Sequence, residues 1–532
     1  MGTITDGKEE RWVRILLGLL CAGALVPVWI APLLPLQDVP NHLLKADLLQ
    51  RWMLDKNWDA PIYALNLKLL PNYALYAGLL SLAPLFGLQT AAKIFLSLIV
   101  VGLPWSAYAF LRRVNPANTL FALAVPAVNF TLFLMMGSLN FCLALAVYLC
   151  ALALFVSERP PAWRASLGFA AAATALYFTH GFIFLALAGT VICLVVLDYR
   201  REWMLRAAGL LPGMVGFALT VAESFKLEAP ASASVQPFFA GVGLHSLRTA
   251  LVWLLNPHGW GFDTPFALVW LGLLGACYLA ALAGALFRRL RDRLSLAEIL
   301  RENAWLIIGT LLMVAFFITP VQVGEWTHAR PRFVPLAVLS LLGAFRLPRK
   351  PALRLSVMIL FTFTALAIEA RNTQEFLKGS AQVQEFISGI DAVEAGSAML
   401  PVVSPEAGPK YSVNLHAWAY YAMARGGWSP YLHAETTHNP VIYRVIPWAP
   451  GEEAGLRGGD LVLRRIAACY DYVLVWNTKP GDAALLRPFF SVVRATTHLH
   501  IWRNRVGARK STPSSNPACA SEQSAAARSP TQ

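Results

Sequence analysis

Apolar runs recur from about residue 12 to residue 370, and short polar stretches rich in arginine separate them. Most are about 17 to 25 residues, the length that carries a helix through a bilayer. Backbone groups in lipid must bond within their own segment, so the runs predict helices. The expected spans are about 12–34, 90–111, 117–136, 139–156, 163–179, 182–197, 205–222, 265–287, 305–319, 333–345 and 353–370, about eleven transmembrane helices in all. Gly137 and Ser138 alone separate the third from the fourth, so that hairpin is tight. The run 73–87 is short and holds Pro84. It predicts a helix that is interfacial or re-entrant and does not cross.

Charge decides this last point. If 73–87 crossed, the clusters Arg112 and Arg113, Arg159 with Arg164, Arg200 and Arg201, the arginines of 288–293 and those of 346–350 would fall on inconsistent or outer faces. If it does not cross, all five lie in the cytoplasm, as the positive-inside rule requires. This places 1–11 inside, 35–88 in a long first outer loop and the C-terminal part outside. From 371 the pattern changes. Strand-like runs at 398–404, 470–476 and 491–502 are interspersed with helical stretches at 373–390 and 415–425, which predicts a small extracytoplasmic α/β domain over 371–505. Residues 506–532 are rich in Ser, Ala and Pro without apolar period and read as a disordered tail. The expected fold class is an α-helical polytopic membrane protein carrying that domain.

Composition agrees. The 532 residues are 57% hydrophobic and only 14% charged, which excludes an ordinary soluble protein. The net charge of +14 invites a nucleic-acid reading, but the basic residues lie in short clusters between apolar runs and form no patch interleaved with aromatics. Of seven cysteines, Cys21, Cys142, Cys150, Cys193 and Cys277 lie in apolar spans and read as small core residues. Cys469 and Cys519 are isolated and no CxxC pair exists, so neither a zinc site nor a disulfide framework is indicated. The first span is long and lacks a small-residue cleavage site, unlike a cleavable signal peptide.

The chemistry gathers in the outer loops. Gln37-Asp38-Val39-Pro40-Asn41-His42 follows the first span directly. A carboxylate at the mouth of a membrane helix costs desolvation energy and is usually kept for chemistry or transport. The plainer alternative is that Asp38 caps the next helix, since Pro40 and Asn41 suit a helix start. Further outer residues are Ser138 and Asn140, His180, then Lys226, His245, Arg248, His258 and Asp263, and finally Glu325, His328, Arg330 and Arg332. An aspartate can take the proton of an attacking hydroxyl, and arginines bind phosphate in a fork and stabilise it as a leaving group. The two roles together describe group transfer from a phosphate-linked donor. Arg330 and Arg332 stand on the outer side against the charge trend, which weighs against mere interfacial anchoring. His180 also reads as a packed helix-end histidine, and His258 and Asp263 read as turn residues. A metal held by Asp38, His42 and His180 has no tight ligand spacing behind it.

On these residues the chain resembles the integral-membrane glycosyltransferases of the C fold class (GT-C). The likeness covers a cytoplasmic start, Asp38 just after the first span, a long helical first outer loop, many further spans and an outer α/β domain. Gln37-Asp38-Val39-Pro40-Asn41-His42-Leu43 and Gly137-Ser138-Leu139-Asn140-Phe141 are also similar to stretches in bacterial members with no assigned reaction. The resemblance implies a sugar donor on polyprenyl phosphate, presented at the outer leaflet of the bacterial inner membrane, and an acceptor that is a glycan, lipid or protein. It implies that Asp38 is the catalytic base or an acceptor-binding group, and the base is the role expected here. Arg330 and Arg332 would hold the carrier phosphate, His42 and His180 would orient substrate or base, and Glu325 would join the substrate-binding set. The class often places a second acidic residue, sometimes a metal ligand, in the second outer loop. Ser138 and Asn140 stand there instead, so no cofactor is expected and divalent metal is not supported. The rival reading is a non-catalytic membrane protein of the same architecture, a lipid-carrier transporter or an envelope-assembly scaffold. Transporters more often show internal repeats and broken midplane helices with buried charges.

Overall fold

The computed structural model describes residues 7–55, 62–68, 71–158, 162–198, 200–226, 244–292, 294–320, 328–404, 410–432, 434, 439–450, 455–477, 479–505 and 516–521. Its first helix, α1 (Gly7–Ile30), leads into α2 (Val39–Leu54), α3 (Ala74–Phe86) and α4 (Leu88–Val114). Then come α5 (Leu139–Phe155), α6 (Ala162–Thr179), α7 (Gly181–Leu197), α8 (Leu211–Lys226), α9 (Leu244–Leu255) and α10 (Thr264–Asp292). The bundle closes with α11 (Ala304–Ile318), α12 (Phe333–Leu341) and α13 (Pro351–Ile387).

By length and composition, six described helices can cross a membrane, or seven if the pair 296–302 and 304–318, bent by 78°, forms one span. The expected count of about eleven is therefore not reproduced by long helices. Several expected spans are shorter apolar helices such as α5 and α7. The run 117–136 departs most from expectation. It consists of the 3-10 segments Pro116–Ala124 and Pro126–Val128 and the short helix Leu132–Met135. Pro116 and Pro126 interrupt a regular ladder. Side chains of neighbouring helices meet the freed backbone: Trp270 Nε1 donates to the Ala124 carbonyl at 2.9 Å and an Arg354 N–H to that of Ala117 at 2.6 Å. Such irregular backbone is tolerated at membrane depth only inside protein, and this segment's 18-residue apolar window is entirely buried.

Helix α3 has 13 residues, roughly 20 Å at 1.5 Å each, too short for a core of about 30 Å. Its first turn lies beside α2, where Tyr76 meets His42, and just beyond its other end Lys93 Nζ of α4 donates to the Ala31 carbonyl, which follows α1 directly, at 2.6 Å. Both ends of α3 thus sit on one side, as a non-crossing segment requires. At the opposite end of the bundle, Arg354 pairs with Glu9 at 2.6 Å, Arg112 with Glu10 at 3.3 Å and Arg288 with Glu302 at 3.6 Å.

Helix α13 was expected as a span, 353–370, followed by a separate helix. It runs unbroken for 37 residues, about 55 Å, from the far end of the bundle into the C-terminal domain. Within it Glu369 is buried, and neither carboxylate oxygen has a hydrogen-bond partner. It packs on Gly23 of α1, where a Cβ would stand 2.6 Å from Glu369 Oε2.

The C-terminal domain holds a sheet of β2 (Met399–Val403), β4 (Tyr472–Trp476), β6 (Leu499–Asn504) and β5 (Phe490–Ala495) in that order. Strand β2 runs parallel to β4, and the other pairs are antiparallel. The single run expected at 491–502 is a hairpin of two strands. The domain is stitched to the segment between α2 and α3 by an antiparallel ladder of β1 (Tyr63–Leu65) with β3 (Val441–Tyr443). Helix α2 lies beneath, with Lys45 Nζ donating to Asn439 Oδ1 at 2.8 Å and Asn41 Nδ2 to the Tyr431 carbonyl at 3.0 Å.

Two sequence expectations are corrected here. Cys469 and Cys519 form a disulfide, and residues 516–521, expected in the disordered tail, pack on the domain. The Trp448 N–H donates to the Cys519 carbonyl and Ala520 bridges Pro447, which brings two cysteines fifty positions apart to a Cα separation of 5.4 Å. Nothing in their spacing announces a pair whose closure depends on this docking.

Candidate functional site

Asp38 precedes α2. Its N–H donates to the Met136 carbonyl, and the Gln37 N–H to that of Met135, each at 3.1 Å, so the loop lies against the end of the helix Leu132–Met135. Gly137 makes the close approach feasible. It adopts φ +87°, and a Cβ there would stand 2.9 Å from Asp38 N. The Gly137-Ser138 hairpin read in the sequence is therefore the shelf on which Asp38 rests.

The Asp38 side chain makes no capping bond to α2. Its Oδ1 accepts from Gln37 Nε2 at 3.3 Å and lies 3.3 Å from Nε2 of His416, which is buried. Gln37 Oε1 in turn accepts from the Ser412 N–H at 3.0 Å. The segment around 412–416 of the C-terminal domain thus closes over the carboxylate. His42 lies one turn into α2, with Nδ1 3.0 Å from the Tyr76 hydroxyl. Burial, with Lys45 adding to it and Asp38 opposing it, pushes this imidazole down to about 4. His42 is neutral near neutral pH and suits a hydrogen-bonding role.

Facing them is the loop before α12. Arg332 sets its guanidinium 3.3 Å from His180 Nε2 and over the rings of Phe141 and Phe182, at 5.8 and 5.9 Å from their centres. His328 packs tilted against Trp253, with ring centres 4.8 Å apart. Burial and then the Arg332 cation push His328 below its ordinary range, while the Asp38 carboxylate pulls the other way. Phe141, which carries the Arg332 guanidinium on its ring, follows closely on the Gly137-Ser138 hairpin that supports Asp38, and this links the two halves of the constellation.

The predicted residues divide. Asp38, His42, His180 and Arg332 come to one end of the bundle. Arg330 is buried and its Nε–H donates to the Thr319 carbonyl at 2.6 Å, which ties the end of α11 to the start of α12. Glu325 lies outside the described residues. His258 and Asp263 do sit at a turn, and His258 bridges Asn372 Oδ1 at 2.9 Å and the Tyr411 hydroxyl at 3.0 Å. Asn140 has both amide atoms committed. Its Oδ1 accepts from the Leu75 N–H at 3.0 Å and its Nδ2 donates to the Asn72 carbonyl at 2.8 Å. His416 was missed. It comes from the far end of the chain, and no spacing relates it to Asp38. His328 was visible only as one more polar residue in its loop.

Chemically, a carboxylate beside an imidazole can take a hydroxyl proton, and a buried guanidinium flanked by aromatic faces draws an anionic group. Among the described residues no group of three or more His, Cys, Asp or Glu is placed to hold a metal ion.

No protein-family model matches the chain, and no curated protein matches it. Solved structures do. ArnT from Cupriavidus metallidurans bound to undecaprenyl phosphate is 14% identical with a TM-score of 0.52, over 94% of this chain and 99% of that one. The same protein in the apo state gives 0.55 over the same shares. The arabinofuranosyltransferase AftD from mycobacteria gives 0.50 at 14% identity, over 94% of this chain and 40% of that one. With the helical bundle, the segment after α1 and the C-terminal sheet in place, the chain has the GT-C fold of these structures.

Proposed function

We propose that this protein is a membrane glycosyltransferase that moves a sugar from a polyprenyl-phosphate carrier to an acceptor on the membrane face where Asp38 lies. The observation that carries the reading is Asp38 itself. Its side chain makes no cap to α2, lies beside His416 of the C-terminal domain, and rests on the hairpin that leads into Phe141, over which Arg332 sits. Asp38 takes the proton from the acceptor hydroxyl, whose oxygen attacks the anomeric carbon, and the carrier phosphate leaves with the bonding electrons. Arg332 is the better placed of the two arginines to receive that phosphate. His180 holds the guanidinium, and His42 and His416 hold the carboxylate end. A fold shared with undecaprenyl-phosphate-bound ArnT supports the choice of donor class.

The reading places the protein in a bacterial inner membrane with Asp38 and the C-terminal domain outside the cytoplasm. The basic clusters at the opposite end of the bundle support this, as does the Cys469–Cys519 disulfide, a bond that persists in oxidising compartments.

The purified protein in lipid nanodiscs, given radiolabelled polyprenyl-phosphate sugars and an envelope extract as acceptor, is expected to transfer label. Absence of transfer with every donor tested favours the carrier-transporter or scaffold alternative. In that assay Arg332→Lys should raise the donor KM about tenfold or more and leave kcat less affected. Lysine keeps the charge but loses the planar fork, and a hydrogen bond to a charged group is worth about 1.5–3 kcal/mol. An unchanged KM removes Arg332 from the donor site. The committed amide of Asn140 leads us to expect transfer that survives a chelator. Activity lost to chelation and restored by one divalent ion would overturn the metal-free reading.

A further inference from the structure

Residues 410–417 bring Ser412 and His416 to the Asp38 end of the bundle, yet they form neither helix nor strand. No ladder sets their path, so side-chain and turn bonds must. The geometry points to His258 as the positioning residue that holds this segment over Asp38. This role rests on the glycosyltransferase reading above and adds a residue to it that lies outside the reacting groups.

The anchor is built from three elements. His258 lies on the turn between α9 and α10 and is only 6% exposed. That turn is tied to the start of α10, where the Gly261 N–H donates to Thr264 Oγ1 at 3.0 Å and the Thr264 N–H to the Gly261 carbonyl at 3.1 Å. From α13, the buried Asn372 sets its Oδ1 2.9 Å from His258 Nε2. An amide oxygen only accepts, so Nε2 carries the proton. Burial, with Arg371 and Lys378 adding to it and the Asn372 bond and Glu375 opposing it, holds this imidazole below its ordinary range. A neutral ring with its proton on Nε2 leaves Nδ1 as the acceptor. The Tyr411 hydroxyl stands 3.0 Å from Nδ1 and therefore donates, which fixes the direction of the link.

Two further steps reach Asp38. The Lys410 N–H donates to the Pro257 carbonyl at 3.1 Å, so positions 410 and 411 are both pinned on the α9–α10 turn. The next N–H, that of Ser412, donates to Gln37 Oε1 at 3.0 Å, and Gln37 Nε2 donates to Asp38 Oδ1 at 3.3 Å. A turn closed by the Leu415 N–H on the Ser412 carbonyl at 3.2 Å then delivers His416, whose Nε2 lies 3.3 Å from the same Oδ1. Gln37 and His416 are thus placed against the carboxylate by a segment whose first two residues are pinned at 257–258. Arg332 and His180 take no part in this chain, so cutting it should disturb the base and spare the donor end.

The test combines hydrogen–deuterium exchange with transfer kinetics on the full-length protein in nanodiscs. Tyr411→Phe and His258→Phe each keep a ring and remove the bond between the two residues. Either should speed amide exchange across 410–417 about tenfold or more and lower kcat about tenfold, the effect of one ordinary hydrogen bond on a barrier, with the donor KM unchanged. The double variant should lose no more than His258→Phe alone, because both changes cut the same link. His258→Gln, whose amide can donate to Asn372 and accept from Tyr411, should restore most of both readouts. Tyr108→Phe removes a bond to Glu10 at the opposite end of the bundle and is the control, expected to keep its kcat per folded molecule. Unchanged exchange across 410–417 in Tyr411→Phe overturns the proposal, as do additive losses in the double variant or a kcat that falls only with the folded fraction. Tyr411→Phe removes a single oxygen, so it decides the matter even if His258→Phe fails to fold. The exchange arm needs no turnover. Faster exchange in a protein that transfers no sugar with any donor would keep His258 as the anchor and sink the glycosyltransferase reading instead.

Discussion

Asp38→Asn is expected to lower sugar transfer by a factor of roughly 10² to 10⁴, the usual loss when a general base is removed, while the protein still folds and inserts. The structure makes the second half of this expectation specific. The backbone of residue 38 carries the local fold, donating to the Met136 carbonyl and accepting from the His42 N–H at 3.1 Å. The side chain contributes no cap to α2, so the amide removes no helix-start bond. Asparagine can still meet Gln37 and His416 but has no basic oxygen at working pH. Thermal melting in detergent should therefore match the unaltered protein while label transfer collapses. A fully active Asp38→Asn variant would remove the base assignment. A variant that fails to fold would mean that Asp38 is structural, the plainer reading with which its position began.

Gly137→Ala should also cost transfer about 10²-fold, although residue 137 touches no substrate in the proposed reaction. At φ +87° an L side chain is strained by about 1–2 kcal/mol, and its Cβ would lie 2.9 Å from Asp38 N and 3.0 Å from Asp38 Cβ. Backbone on backbone has no flexible end to swing aside, so the loop bearing Asp38 must move. A displacement near 1 Å at a reacting group typically costs about 10² in rate. Gly426→Ala is the control. It shares the positive φ, +70°, but a Cβ there meets nothing within 4 Å. It should lose stability and keep its activity per folded molecule. If both variants lose transfer only in proportion to folded protein, Gly137 is a turn glycine and not the support of the site.

Much of the outline was legible in the sequence because membrane insertion is a local property. A helix must hide its backbone bonds over a fixed thickness, so hydropathy along 88–114 or 264–292 reports a span before any contact is known. The same economy marked 73–87 as too short, and it marked Asp38 as costly where it stands. Gly137-Ser138 announced a tight hairpin because few residues were left to make the turn. The residues that decide the site's shape carried no such signal. His416 reaches Asp38 only after the segment between α2 and α3 and the C-terminal domain pair through Tyr63–Leu65 and Val441–Tyr443. Cys469 meets Cys519 only after 516–521 dock beside Trp448. Arg330 and Arg332 look equivalent in the chain, yet the 3-10 turn that holds them sends one to the Thr319 carbonyl and the other to His180. The irregular path of 116–135 is likewise set by neighbours, since Trp270 and Arg354 from other helices satisfy carbonyls that lipid cannot. Periodicity and charge fix where a segment sits relative to the membrane. Contacts between distant segments depend on closing long loops and packing irregular surfaces, which leave no repeat in the sequence, so only the tertiary structure decided them.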